Sequence, residues 1–158
     1  MVKNMSNLNW NRLNHHQLGK YAEYLACMEF LSYGIDTYPA TVDDHGVDLV
    51  IKDKNGRFCE IQVKSLFKAS YTYILKKHLN VENPNFYVFF LHFTNESLPT
   101  AYLIPATAWK NPEGALVSRD YDKVGQKSQP EYGISLSRKT IDSLEKYKFE
   151  RVVQERLL

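Results

Sequence analysis

Residues 43–65 read DDHGVDLVIKDKNGRFCEIQVKS. Two apolar runs hinge on Lys54-Asn55-Gly56, with an acid opening one run and three polar side chains along the other. Side chains alternate along a strand, so Cys59, Ile61 and Val63 take one face while Glu60, Gln62 and Lys64 share the opposite one. The first face has the composition of a core. The second, with Asp48 beside it, offers carboxylate and amide oxygens, the hard ligands that hold Mg2+, and an amine that can act as a compact cation.

These residues can act together only if the surrounding elements position them. Asn-Gly between apolar runs is a hairpin signal, so 47–52 and 58–64 are predicted as paired strands. Upstream, HHQLGKYAEYLACMEFLSYG places Leu18, Tyr21, Ala22, Leu25, Ala26 and Met28 at helical spacing, with Asn14 as the cap and Gly34 as the stop. A short strand is expected at 36–39. Downstream, 71–75, 86–93 and 100–105 read as further strands, punctuated by Pro84, Pro99 and Pro105. The run FYVFFLHF is apolar on both faces, which predicts a central strand. A second helix is expected after Ser137, with Ile141, Leu144 and the stem of Lys148 along one side. The order predicts an α/β fold, a mixed central sheet flanked by helices.

Composition bounds the rest. A chain of 158 residues with 44% hydrophobic content suits one domain over 1–158, with its motif-bearing part about 15–105 and a C-terminal strand and helix in 106–158. The net charge of +2 carries little information about partners. Cys27 and Cys59 show no metal-ligand spacing and read as small buried hydrophobes in a reducing compartment. The N-terminus lacks the build of a secretory signal, and no apolar run reaches the roughly 18 residues of a membrane span. A cytoplasmic protein with no membrane partner is expected.

The order Gly19-x-x-x-Glu23, then Gly46-Val47-Asp48, then Gln62-Val63-Lys64 resembles the PD-(D/E)xK nuclease superfamily, the restriction-endonuclease-like fold. It is most similar to a bacterial branch in which glutamine replaces the second acid. The resemblance covers residues 15–65 and extends further only through the order of strands and helices. It implies that Glu23, Asp48, Gln62 and Lys64 form the catalytic set, with Asp48 the central metal-binding acid and Lys64 the motif lysine. Gln62 stands where the superfamily usually has Glu or Asp. The Val63 carbonyl and Glu23, reaching in from its helix, complete the implied ligands, and Mg2+ or Mn2+ is the implied cofactor. Val47 replaces the motif's proline. Glu60, about 7 Å from Gln62 along the strand, is assigned an outer role, orienting Gln62 or a metal-bound water.

The implied activity is metal-dependent hydrolysis of phosphodiester bonds, with DNA as the expected partner. Lys68, Tyr71, Lys76 and Lys77, interleaved with Phe67 and Tyr73, form a candidate basic and aromatic edge for nucleic acid. The alternatives are a non-catalytic nucleic-acid-binding module on a nuclease scaffold and an interaction protein that uses a sheet edge or YKFERVVQERLL as an oligomer surface. The chain leaves room for a homodimer. His15, His16, His45 and His78 lack zinc-site spacing and read as surface or capping residues, and His92 reads as a core histidine.

Overall fold

Helix α1 spans His15–Ser32 in the computed structural model, which describes residues 7–42 and 45–158. Asp43 and Asp44, which open the stretch quoted above, lie outside the described residues. Asn14 starts the helix as expected: its side chain accepts from Gln17 N at 2.9 Å, and Gln17 Oε1 accepts from Asn14 N at 2.9 Å, a reciprocal capping box. Gly34, at φ +69°, ends it in the left-handed conformation glycine favours. The buried stripe is Leu18, Ala22, Ala26 and Phe30. Met28 was expected on that stripe and is instead 63% exposed. Fourfold spacing from Leu18 carries the stripe to Phe30 and leaves Met28 on the other side, with Tyr24 and Leu31.

The central sheet has five strands: β1 (Asp36–Pro39), β2 (Leu49–Lys52), β3 (Phe58–Phe67), β5 (Phe86–Phe93) and β6 (Thr100–Pro105), in the order β1-β2-β3-β5-β6. Only the β3–β5 pair is parallel, with Gln62 opposite Val88; the other neighbours are antiparallel. β5 is buried on both faces, as expected for a central strand. Tyr87, Phe89, Leu91 and Phe93 join the core under α1, with Cys59, Ile61, Val63 and Phe149. Phe86, Val88 and Phe90 enter a second core with Leu66, Ile74, Trp109 and Ile134.

That second core exists because β4 (Tyr71–Leu75) leaves the central sheet. It forms a three-stranded sheet with β8 (Glu131–Ser135) and β7 (Leu116–Arg119), in the order β4-β8-β7. This second sheet was not expected; 106–158 was assigned one strand and carries two. The helix expected after Ser137 is also revised. Residues Ile141–Tyr147 form a 3-10 segment, Lys148 is extended (φ −52°, ψ 135°), and helix α2 spans Phe149–Arg156. Leu144 is buried as expected, while the apolar face that docks on the central sheet belongs to Phe149, Val152 and Val153. Among the described residues no helix is long and apolar enough to cross a membrane.

The hairpin differs from expectation at both ends. β2 begins at Leu49, so Asp48 precedes the strand, although Asp48 N still donates to Ile61 O at 2.9 Å. β3 runs three residues beyond the expected Lys64. Since β2 pairs only with Phe58 through Ile61, the edge of β3 from Gln62 onward is left without a β2 partner, and a cleft opens there.

Candidate active site

The register that sets Leu49 opposite Ile61 brings Asp48 beside Gln62. Asp48 Oδ2 accepts two hydrogen bonds, from Val63 N at 2.6 Å and from Gln62 Nε2 at 3.0 Å. The carboxylate can only accept, so it dictates the orientation of the amide: nitrogen toward Asp48, oxygen away. Gln62 is 6% exposed, and its Oε1 is fully buried without a hydrogen-bond partner. Buried amide oxygens are nearly always satisfied, and leaving one unpaired costs about 1–3 kcal/mol.

Gly46 explains how the chain passes over this amide. At φ +74°, an added Cβ would lie 2.7 Å from His78 Cβ, 2.8 Å from Gln62 Oε1 and 3.1 Å from the His78 carbonyl oxygen. Any side chain there meets both a strained backbone and a filled space. The Gly-Val-Asp triplet thus works as a unit: Gly46 gives clearance, half-buried Val47 packs against the second core, and Asp48 reaches the middle of β3.

Gln62 and Lys64 line a cleft of about 500 Å³ together with Gly46, His15, His78 and the length of β4. One wall is thus the uncovered edge of β3, the other is β4 of the second sheet, and the start of α1 stands at the rim. His15 and His78, read from sequence as surface or capping residues, belong to this cleft. No spacing signal could have found them, because His78 follows β4 and reaches the site only by the departure of that strand.

The remaining candidates are placed as follows. Glu23 is about one-third exposed (34%) and ion-paired with Lys20 at 2.5 Å. The hydrogen bond and charge of Glu23 raise the Lys20 pKa, and the charge of Asp48 adds to the effect, so this face of α1 lies within electrostatic reach of Asp48. Glu23 itself does not line the cleft. Glu60 is held by Asn83, Nδ2 to Oε2 3.1 Å, away from Gln62's buried oxygen. Lys68 adopts φ +56° and donates to Asn11 Oδ1. Lys76 pairs with Asp120 at 2.7 Å and lies 4.7 Å above the Tyr132 ring. Lys77 is exposed beside His78. Tyr71 lines the cleft, stacks with Tyr73 at 6.4 Å and carries the Arg119 guanidinium 4.3 Å above its ring. Burial, with Glu131 nearby, pushes its phenol up to about 12, so Tyr71 is neutral and offers a ring rather than a charge.

Among the described residues no group of three or more His, Cys, Asp and Glu side chains is placed to hold a metal ion. Burial raises the Cys59 thiol to about 11, an inert core group. Burial also lowers His92, in keeping with a core histidine.

No protein-family model and no curated protein matches this chain. Solved structures do. A bacterial homing endonuclease is similar with TM-score 0.51 and 18% identity, over 90% of this chain and 93% of that one. The Hjc Holliday junction resolvase of Archaeoglobus fulgidus is similar with TM-score 0.52 and 14% identity, over 87% of this chain and 96% of that one. The chain therefore has the fold of these nucleases, a mixed central sheet with flanking helices.

Proposed function

We propose that this protein is a divalent-metal-dependent endonuclease that hydrolyses phosphodiester bonds in DNA, with Mg2+ or Mn2+ as cofactor, and that it works in the cytoplasm. The supporting observation is that Gln62 and Lys64 line one cleft, with Asp48 hydrogen-bonded to the Gln62 amide whose other end is a buried, unsatisfied oxygen. The similarity to a homing endonuclease and a Holliday junction resolvase favours DNA as the polymer.

The donor set suits the cofactor. Asp48 gives a carboxylate and Gln62 a neutral oxygen. The Val63 carbonyl leaves β3 on the same side as the Val63 N–H that Asp48 accepts. One or two carboxylates, neutral oxygens, water and a substrate phosphate are what Mg2+ requires. When bound, the cation supplies a more acidic water and neutralises charge building on the phosphoryl oxygens.

The chain's own residues do the rest. The Val63 N–H fixes the rotamer of Asp48. Lys64 meets the phosphate or the attacking water as a point cation. Glu23 completes the acidic pair by exchanging Lys20, while Glu60, held by Asn83, stays outside. Tyr71 and Lys77 border the path of the nucleic acid, one by ring and one by charge.

A second reading, a binding module without catalysis, is favoured by one observation: the Gln62–Asp48 hydrogen bond and the Glu23–Lys20 ion pair each satisfy an acid without a cation. The two readings separate in a cleavage assay of the full chain on duplex, branched and single-stranded DNA and on RNA, with Mg2+, Mn2+ or EDTA. Metal-dependent cleavage that Asp48→Asn and Lys64→Ala abolish, with DNA binding retained, supports the nuclease. Binding without cleavage under every metal establishes the module.

A further inference from the structure

We infer that the Gln62 amide is a two-position latch that must turn over before this site takes a cation. The inference rests on the metal-dependent reading above and concerns how the cleft is held without metal. In the present arrangement Gln62 gives Asp48 its nitrogen, 3.0 Å from Oδ2, and buries its oxygen where no donor reaches it. A cation on Asp48 reverses the local sign. The donor amide is then repelled, and the oxygen is the atom that belongs beside Asp48.

The surroundings suit a rotation of the terminal amide rather than a movement of the strand. β3 is held on its other side by the parallel pairing of Gln62 with Val88, so the backbone is committed. Gly46 supplies no Cβ, and the point where one would sit lies 2.8 Å from Oε1 and 3.1 Å from the His78 carbonyl oxygen. Two acceptor oxygens therefore border the same small space. The turned amide would present Nε2 to that side and give the space a donor. Each position of Gln62 thus offers its N–H to a different side: to Asp48 without the cation, and toward the His78 carbonyl with it.

A glutamate at position 62 could not work this way. It has no N–H to give Asp48, so the free site would set two carboxylates side by side and lose the amide donor that now links them. Glutamine keeps the free site electrically quiet and lowers its affinity for the bare ion, because the charge-assisted hydrogen bond must be given up first.

The test uses the full chain with Mg2+ or Mn2+ alone and no nucleic acid. The 15N side-chain amide signals of Gln62 are assigned by their loss in Gln62→Glu. The expected result is an amide shift in the wild type on titration with Mg2+, alongside Mn2+ broadening of the Asp48 and Val63 signals. In thermal unfolding, Gln62→Glu should melt below wild type in EDTA, gain more from Mg2+, and bind Mg2+ about tenfold more tightly or better, the scale of one hydrogen bond to a charged group. If Mn2+ broadens the Asp48 and Val63 signals while the Gln62 amide keeps its free-state shift, the latch is overturned and the nuclease reading stands. If neither protein responds to either metal, both fall. If the amide turns over but no substrate is cleaved, the latch stands without the nuclease.

Discussion

The two ends of the β2–β3 hairpin each bury a polar centre, and they treat it in opposite ways. At the turn, Asp53 is 4% exposed, and its carboxylate accepts from Asn55 N and Arg57 N, both at 2.9 Å, and from Arg57 Nε at 2.7 Å. Arg57 goes on to donate to the Arg156 carbonyl at 3.0 Å, tying the turn to the end of α2. At the open end, Asp48 and Gln62 bond to one another while Gln62 Oε1 is left with no donor. A buried polar group with every oxygen satisfied contributes to stability; one left short is a cost that needs another reason to persist. The comparison separates a structural acid from a candidate catalytic one within fifteen residues.

The largest expected effect would break the comparison if it failed. Asp48→Asn keeps the side chain's shape and an acceptor oxygen, so its Tm should stay within a few degrees of wild type. Metal-dependent cleavage should fall at least about a hundredfold, beyond the usual loss for an outer-shell partner of a metal site. Asp53→Ala should do the reverse. It strands the Asn55 and Arg57 donors and should cost about 2–4 kcal/mol in denaturant unfolding, with cleavage per folded molecule unchanged. Activity lost in proportion in both variants would mean that the two ends are not functionally distinct.

The glycines of the same hairpin sharpen the contrast. Gly46 and Gly56 both have positive φ, +74° and +81°, but a Cβ at Gly56 meets nothing within 4 Å. Gly56→Ala should therefore cost only the left-handed penalty, about 1–2 kcal/mol, and leave cleavage intact. Gly46→Ala adds contact with Gln62 Oε1 and His78, so it should cost more stability and also reduce cleavage by displacing the amide. Equal losses of stability and activity in the two variants would show that Gly46 does not shape the site.

The smallest expected effect is in pH. Burial alone would raise the Asp53 pKa, but the hydrogen bonds from the Arg57 backbone and side chain and from Asn55 more than offset it, and the net shift is downward. A lowered folded pKa means a contribution that is present above the unfolded value, near 3.8, and lost as pH falls through the folded one. Melting temperatures measured from pH 7 downward should show Asp53→Asn falling less steeply than wild type below about pH 4. Parallel curves would refute the assignment.

Much of this protein was written in local pattern. Alternation along 58–64 correctly separated Cys59, Ile61 and Val63 from Gln62 and Lys64, because a strand's period is a property of the backbone and not of its neighbours. The capping box at Asn14, the stop at Gly34 and the two-faced burial of β5 were legible for the same reason. What lies beyond that range only the tertiary structure decided. β4 departs into a second sheet and makes the far wall of the cleft, bringing His78 to a site that its sequence position does not suggest. Lys76 goes to Asp120, Lys68 to Asn11 and Glu60 to Asn83: each is a long polar side chain whose direction is set by a charge or hydrogen-bond partner distant in sequence rather than by spacing along the chain. The sequence put Gln62 beside Asp48, but the choice of which end of its amide faces the acid was left to the electrostatics of the folded site.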